Sequence, residues 1–328
     1  MIILSRSEIE ALVDLDTGLA AVEQAYIAAS QGRATIPPVG YLAFPEVDGD
    51  CHIKYGHISG DPLFVVKIAS GFYRNPSIGL STSSGVMLAL SATTGQLEAI
   101  LLDEGFLTDL RTGLGGAIAT RALCRPDARR VAIVGSGIQA SMQIRCLHRA
   151  MRETSLTFTL WGRSEVKSAT IAQTLAGEGI PVETTDNLEA LCRSADIIIT
   201  TTPARQPLIP SEWIAPGTHI TAVGADAPGK HELDTALVAR ADIRIADHLD
   251  QSLAHGEFSA AFDAGLITRD SCSELGGVLA GMAPGRKNRA DITIADLTGI
   301  VVQDIAITRE ILDAASKSLD KPVVDLST

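Results

Sequence analysis

The stretch VAIVGSGIQA, Val131–Ala140, decides the fold. Four apolar residues lead into Gly135, Ser136, Gly137, Ile138, Gln139 and Ala140, which fit the pattern G-x-G-x-x-G/A. By itself that pattern is weak. Its setting is strong: an apolar strand precedes it, the helical run IQASMQIRCLHRAM follows, and a second apolar run, LTFTLWG, comes within about thirty residues. Gly135 permits the tight turn, Gly137 lets a pyrophosphate approach the backbone, and Ala140 lets helix and strand pack closely. The helix N-terminus turns its N–H groups and the positive end of its dipole towards phosphate. The stretch is read as a dinucleotide loop, with a ligand-free corner of strand and helix as the alternative.

Downstream of Arg129 the same alternation continues. The runs IPVETTD, ADIIITTTP, HITAVGAD, DIRIADH and DITIADLTG are short and apolar, and helical stretches such as EVKSATIAQTLAGEG and NLEALCRSA separate the first of them. Near-continuous apolar strands joined by helices imply a parallel sheet covered on both faces. Upstream the pattern differs. HIKYGHI, LFVVKIASGFY, SGVMLALSA and LEAILLDEG read as strands, and Thr94-Gly95 reads as a hairpin turn linking the last two. The first thirty residues read as helix. Asp16 is expected to cap the run TGLAAVEQAYIAAS, which aligns Leu19, Val22, Tyr26 and Ala29. TDLRTGLGGAIATRAL also looks helical, although Gly113, Gly115 and Gly116 each cost about 1 kcal/mol there relative to Ala. Close helix packing or close approach of a ligand accounts for such glycines. After Gly299, the residues Val301, Ile305, Thr308 and Leu312 indicate a last helix.

The bulk properties narrow the function. The 328 residues are 46% apolar and carry a formal net charge of −12, enough chain for two domains. The acidic balance weighs against a nucleic-acid or membrane-surface partner and towards a small molecule. Cys51, Cys124, Cys146, Cys192 and Cys272 are scattered, odd in number and never paired as CxxC. They read as reduced, buried thiols of a cytoplasmic protein. The N-terminus lacks a basic signal region, and no apolar run reaches the ~18 residues of a membrane span.

Several side chains carry chemistry. At the end of the second sheet strand NAD sites place Asp or Glu, but here the chain reads Trp161-Gly162-Arg163-Ser164 with Lys167 soon after, and Glu165 comes late. Arg163 and Ser164 suit a 2′-phosphate, which favours NADP(H), with NAD(H) as the alternative. Lys67 lies in an apolar strand and shares a face with Val65 and Ala69 if the strand alternates. It either meets an internal carboxylate or holds an anionic substrate, since an unpaired buried ammonium is costly. Arg111, near the start of the glycine-rich helix, suits a carboxylate bidentately, or pairs with Asp109 or Glu104. Asp226, just past a sheet strand, can take an ammonium or iminium charge or move a proton. Its alternative is a turn or cap before Pro228. Lys230 and His231 read as exposed loop residues. His52, His57, His248 and His255 have no ligand spacing, so no metal is assigned.

VAIVGSGIQA, LLDEGFLTDLRTG, VGADAPGKHELD and SELGGVLAG, together and in order, resemble the ornithine cyclodeaminase/mu-crystallin family. The resemblance runs from the first helix to IADLTGIVVQDIA. It implies an α/β chain with a Rossmann-type doubly wound parallel sheet, residues 121–299, inserted into a discontinuous α+β dimerisation and substrate domain, residues 1–120 and 300–328. It implies homodimers that use a nicotinamide cofactor on amino or imino acids. Lys67 and Arg111 match the residues that contact the substrate carboxylate, and Asp226 matches the aspartate that meets the substrate amine. Arg163 and Ser164 match a segment that binds the NADPH 2′-phosphate, and Thr298-Gly299 match one near the nicotinamide. The cofactor-binding set is thus Gly135, Ser136, Gly137, Ile138, Gln139, Arg163, Ser164, Thr112, Thr202, Val223 and Thr298. One departure stands out. Where the family commonly has a carboxylate-binding arginine after Pro-Val, this chain has Gly40, and His52 and Lys54 are candidate replacements.

The leading reading is hydride transfer involving NAD(P)(H) at the C–N centre of a small amino or imino acid, with Lys67 and Asp226 as the catalytic pair. A cyclodeaminase of the ornithine type, recycling NAD+ within each turnover, is one alternative. A NADPH-dependent binding protein without turnover is the other.

Overall fold

In the computed structural model of the chain, residues 1–318 are described. They divide into two compact units, Met1–Arg111 with the chain from Ile300, and Thr112–Gly299.

The first unit is built on a seven-stranded sheet. Its opening residues are not one continuous helix: Ile2–Ser5 form a strand, β1, before helices α1, Arg6–Leu12, and α2, Leu15–Ser30. The capping residue of α2 is Asp14, whose carboxylate accepts from Thr17 N at 2.9 Å, and Asp16 lies inside the first turn instead. Leu19, Val22 and Tyr26 face the core as expected. Strands β2, Ala34–Thr35, β3, Gly40–Phe44, β4, Gly49–Ile58, β5, Leu63–Phe72, β6, Ser83–Ser91, and β7, Leu97–Leu102, complete the sheet. Its order is β1-β7-β6-β5-β4-β2, with β3 also paired to β4. Only β1 runs parallel to its neighbour; the other pairs are antiparallel. Side chains alternate between faces along each strand. Val65, Lys67, Met87, Ala89, Ala99 and Leu101 are buried on one face, where Val65 packs with Val301 and Ile305 of the last helix, Val301–Ser318. From Val301 to Thr308 every residue of that helix is buried, including Gln303 and Asp304. The other face is apolar and only partly covered, with Tyr55 and Ile68 exposed.

Helix α3, Phe106–Leu123, carries the chain from one unit into the other. The second unit is an eight-stranded, wholly parallel sheet. It begins β8, Arg130–Val134, α4, Ile138–Ala150, β9, Thr157–Trp161, α5, Glu165–Gly177, β10, Val182–Thr185, and α6, Leu188–Ser194. Then follow β11, Ile197–Thr200, β12, His219–Ala222, α7, Thr235–Arg240, β13, Ile243–Ala246, α8, Leu249–His255, and α9, Ser259–Asp263. Strand β14, Cys272–Glu274, helix α10, Leu275–Leu279, and β15, Thr293–Asp296, close it. The order β10-β9-β8-β11-β12-β15-β13-β14 reverses direction at β8 and β11. That reversal opens a crevice at the carboxyl ends of the two strands, where open α/β sheets bind ligands.

Two glycines of α3, Gly113 and Gly116, are explained by helix packing. A Cβ on Gly113 would lie 2.7 Å from Met142 Cγ and 3.1 Å from the Met142 carbonyl oxygen of α4, and one on Gly116 would overlap the buried Gln143 side chain. Substitution of Gly113 by Ala gains about 1 kcal/mol of helix propensity but forces α3 and α4 apart, a strain of about 1–3 kcal/mol. G113A is therefore expected to unfold at a lower temperature than the native chain, as read by calorimetry.

Candidate functional site

In the parallel unit the glycine loop follows β8 directly. Gly135 has φ +127°, and a Cβ there would lie 2.5 Å from Thr201 Oγ1, so only glycine makes this turn beside the end of β11. Gly137 begins α4 as its N-cap without any side-chain cap, and a Cβ on it would meet nothing within 4 Å. The space over the loop is open, and Ala140 is fully buried against the sheet. These residues fit a pyrophosphate: backbone N–H groups at a helix start, with room in front of them. Gly162 has a reason that the sequence did not reveal, because a Cβ there would overlap Ser136 of the loop.

At the end of β9, Arg163 is exposed and makes no ion pair among the described residues. Ser164 caps α5, its hydroxyl oxygen accepting from Lys167 N at 3.3 Å while its O–H remains able to donate. Thr112 gives its carbonyl to Gln143 Nε2 at 3.1 Å.

The strand ends around Thr202 and Val223 are tied together by a residue that sequence reasoning missed. Glu232 is fully buried. Its carboxylate accepts from Thr200 Oγ1, Thr202 N and Thr202 Oγ1, each at 2.7 Å, and from Gly224 N at 2.9 Å. One anion thus holds the exits of β11 and β12 and anchors the far end of the loop that carries Asp226. Burial pushes the Glu232 carboxyl up, while the Thr200 and Thr202 donors pull it down. Behind it, Glu257 accepts from Glu232 N at 3.0 Å and Leu233 N at 2.5 Å. Thr298 and Gly299 are held similarly: Asp247 accepts from Thr298 N, Thr298 Oγ1 and Gly299 N at 3.1, 3.0 and 2.6 Å. The signal for Glu232 and Asp247 was a carboxylate next to an apolar strand or in a glycine loop, which sequence alone does not distinguish from a surface acid.

Asp226 stands in the loop after β12 with its side chain 48% exposed. Lys230 is not an exposed loop residue as expected. Its side chain is mostly buried, and the ammonium donates to Asp226 Oδ1 at 2.5 Å. His231 is partly buried, 3.2 Å from Glu257 Oε1.

In the first unit Lys67 and Arg111 come together. Lys67 is 1% exposed and Arg111 6%. Their common partner is Asp304 of the last helix: Lys67 Nζ lies 2.9 Å from Asp304 Oδ1, and Arg111 Nε lies 3.2 Å from the same oxygen. Asp304 thus takes the place beside Arg111 that the alternative reading gave to Asp109 or Glu104. Gln303 orients the fork further, accepting from Arg111 Nη1 at 3.0 Å and donating to the Arg111 carbonyl at 3.1 Å. Burial, then the Arg111 charge, lowers the Lys67 ammonium to about 7, against the pull of Asp304. Lys54 is buried opposite Lys67 on β4, and His52 is one cross-strand pair further along that face. Gly40 pairs with Ile53, which lies on the other face, so a side chain at position 40 points away from Lys67. Among the described residues no group of three metal-ligating side chains forms.

The four donors around Glu232 need an anion. In E232Q the amide nitrogen faces the N–H of either Thr202 or Gly224, and an unmade buried hydrogen bond costs about 1–3 kcal/mol. E232Q is expected to melt several degrees lower, with faster amide exchange confined to the ends of β11 and β12.

A sequence profile of the ornithine cyclodeaminase/mu-crystallin family matches residues 1–318. A protein of Sinorhizobium fredii bearing the name of an uncharacterised cyclodeaminase is 41% identical over 94% of this chain and 93% of its own. The iminosuccinate reductase of Paracoccus denitrificans is 31% identical, with 96% and 97% covered. The solved structure of Δ1-pyrroline-2-carboxylate reductase from Thermococcus litoralis, in complex with NADH and L-proline, is similar at TM-score 0.91 and 25% identity, covering 98% of this chain and 100% of that one. An archaeal alanine dehydrogenase dimer with bound NAD is similar at TM-score 0.89 and 31% identity, with 98% of each chain covered. Matched through both units, from the first strand to the end of the last helix, this chain belongs to the ornithine cyclodeaminase/mu-crystallin family.

Proposed function

We propose that the protein is an NAD(P)(H)-dependent enzyme that transfers a hydride at the C–N centre of a small amino or imino acid. The observation that carries this reading is the buried, adjacent pair of cations Lys67 and Arg111 in a chain of this family. Gly135–Gln139 would hold the pyrophosphate of a nicotinamide cofactor, which when bound would supply or accept the hydride. Lys67 and Arg111 hold the substrate carboxylate through charge-assisted hydrogen bonds, strong because both groups are out of water. Asp226 meets the substrate nitrogen, balances its positive charge and receives or returns its proton, while Lys230 steadies the carboxylate from behind. Iminosuccinate and pyrroline-carboxylate reductases among the relatives support reduction of an imine as the direction. The cyclodeaminase relative, together with Asp226, supports a second reading in which the cofactor is recycled in each turnover.

NADP(H) is the proposed form. Arg163, just past the end of β9, and Lys167, in the first turn of α5, are exposed, and neither makes an ion pair among the described residues. A 2′-phosphate matches them, and no carboxylate stands in the usual ribose-binding place. The five cysteines are all free, consistent with a cytoplasmic protein. No helix of the described residues is long and apolar enough to cross a membrane. A homodimer is proposed through the partly covered face of the first sheet, where Ile3, Tyr55, Ile68 and Leu102 are exposed.

Fluorescence titration with NADPH and NADH tests the cofactor. NADPH is expected to bind more tightly, and R163A to weaken NADPH alone by about ten- to a hundredfold, the worth of a charge-assisted bond. Cofactor consumed one-for-one with amino acid formed supports the reductase. Product formed with no net change in cofactor supports the cyclodeaminase, and binding without turnover of any imino or diamino acid overturns both. I68K is expected to shift a dimer to monomer in light scattering; an unchanged mass refutes the proposed interface.

A further inference from the structure

The last helix contributes a charge to the first unit, Asp304, to which the sequence reading gave no role. Asp304 is fully buried, and its Oδ1 is shared by two cations that would otherwise repel each other. Lys67 comes from the centre of β5 and Arg111 from the second turn of α3, so nothing local holds them side by side. The other oxygen, Oδ2, is equally buried and accepts from no donor among the described residues. The neighbouring Gln303 grips Arg111 from both its carbonyl and its guanidinium.

From this geometry we infer that Asp304 is a positioning residue, which keeps Lys67 and Arg111 adjacent, charged and aimed as one carboxylate receptor. The inference rests on the function proposed above, because it takes that receptor to be the substrate site. The charges that face Lys67 are Asp304 from the last helix, Arg111 from α3, Lys54 from β4 and Asp103 after β7. Arg111 and Lys54 disfavour the ammonium, and Asp304 is the first group that favours it. An ammonium that titrates at about 7 is on the point of losing its charge at neutral pH. Carboxylate binding by Lys67 is therefore present below that pH and is lost as pH rises through it. Without Asp304 the loss comes at lower pH.

The test compares the native chain with D304N and K67R. The pH profile of kcat/KM for the imino acid is expected to fall on its alkaline side. That fall moves to lower pH in D304N and disappears in K67R, whose guanidinium does not titrate. At its best pH, D304N is expected to lose about a hundredfold in kcat/KM, as for a receptor displaced by an ångström, mostly through a raised KM. A D304N profile lowered in height but unmoved in pH overturns the inference.

A second readout needs no activity, so the inference and the proposed function can fail separately. The unfolded lysine titrates near 10.5 and the buried one near 7. Neutral Lys67 thus favours the fold, a contribution complete above the upper value and lost as pH falls through the lower. In D304N this dependence of melting temperature on pH extends to lower pH. An unaltered dependence counts against Asp304 acting on Lys67. If D304N does not fold, K67M/D304N decides. Removal of both charges is expected to restore cooperative unfolding, and a double variant as unfolded as D304N refutes the coupling.

Discussion

An ammonium taken out of water in the middle of a sheet costs several kcal/mol unless an anion meets it. Lys67 is in that position, and Asp304 is the anion that meets it. Much of the first unit follows from this constraint. The last helix must lie against β5 with its first two turns buried, because only then does Asp304 reach the lysine. Val301 and Ile305 pack on Val65 to seal the same region. Arg111 joins the carboxylate from α3, so a strand and two helices distant in the chain meet at one oxygen.

The parallel unit obeys the same rule with backbone groups in place of side chains. Strand ends leave N–H groups pointing into the crevice of the sheet, and a loop of irregular backbone cannot pair them with itself. Glu232 and Asp247 supply the acceptors. Each buried carboxylate collects several donors and draws two strand exits or a loop into a fixed shape. The rigid framework then presents a glycine loop with open space before it and an aspartate, Asp226, that remains half exposed.

The arginine that the family commonly carries near position 40 illustrates what pairing geometry adds to a motif. Residue 40 faces away from Lys67, whereas Lys54 stands opposite it. A side chain at position 40 would therefore not join the buried cluster formed by Lys54 and Lys67 of the sheet and Arg111 of α3.

Much of the fold is legible in the residues alone. Seven of the eight strands of the parallel sheet, the glycine loop, strands β4 to β7 and the last helix lie where periodicity and turn residues put them, because those signals are local; β2, β3 and the three-residue β14 have no such signal. Lys67, Arg111 and Asp226 are legible as charges in unusual settings. Asp14 rather than Asp16 as a cap, and the short strand β1, are not, since a cap is chosen by where the helix starts and a parallel strand by its distant partner β7. The roles of Asp304 and Glu232 are hidden for the same reason. A carboxylate in a helix or loop looks like a surface group in one dimension. Only tertiary packing decides that it is buried, and only burial obliges it to find the lysine, arginine or backbone N–H groups that give it a role.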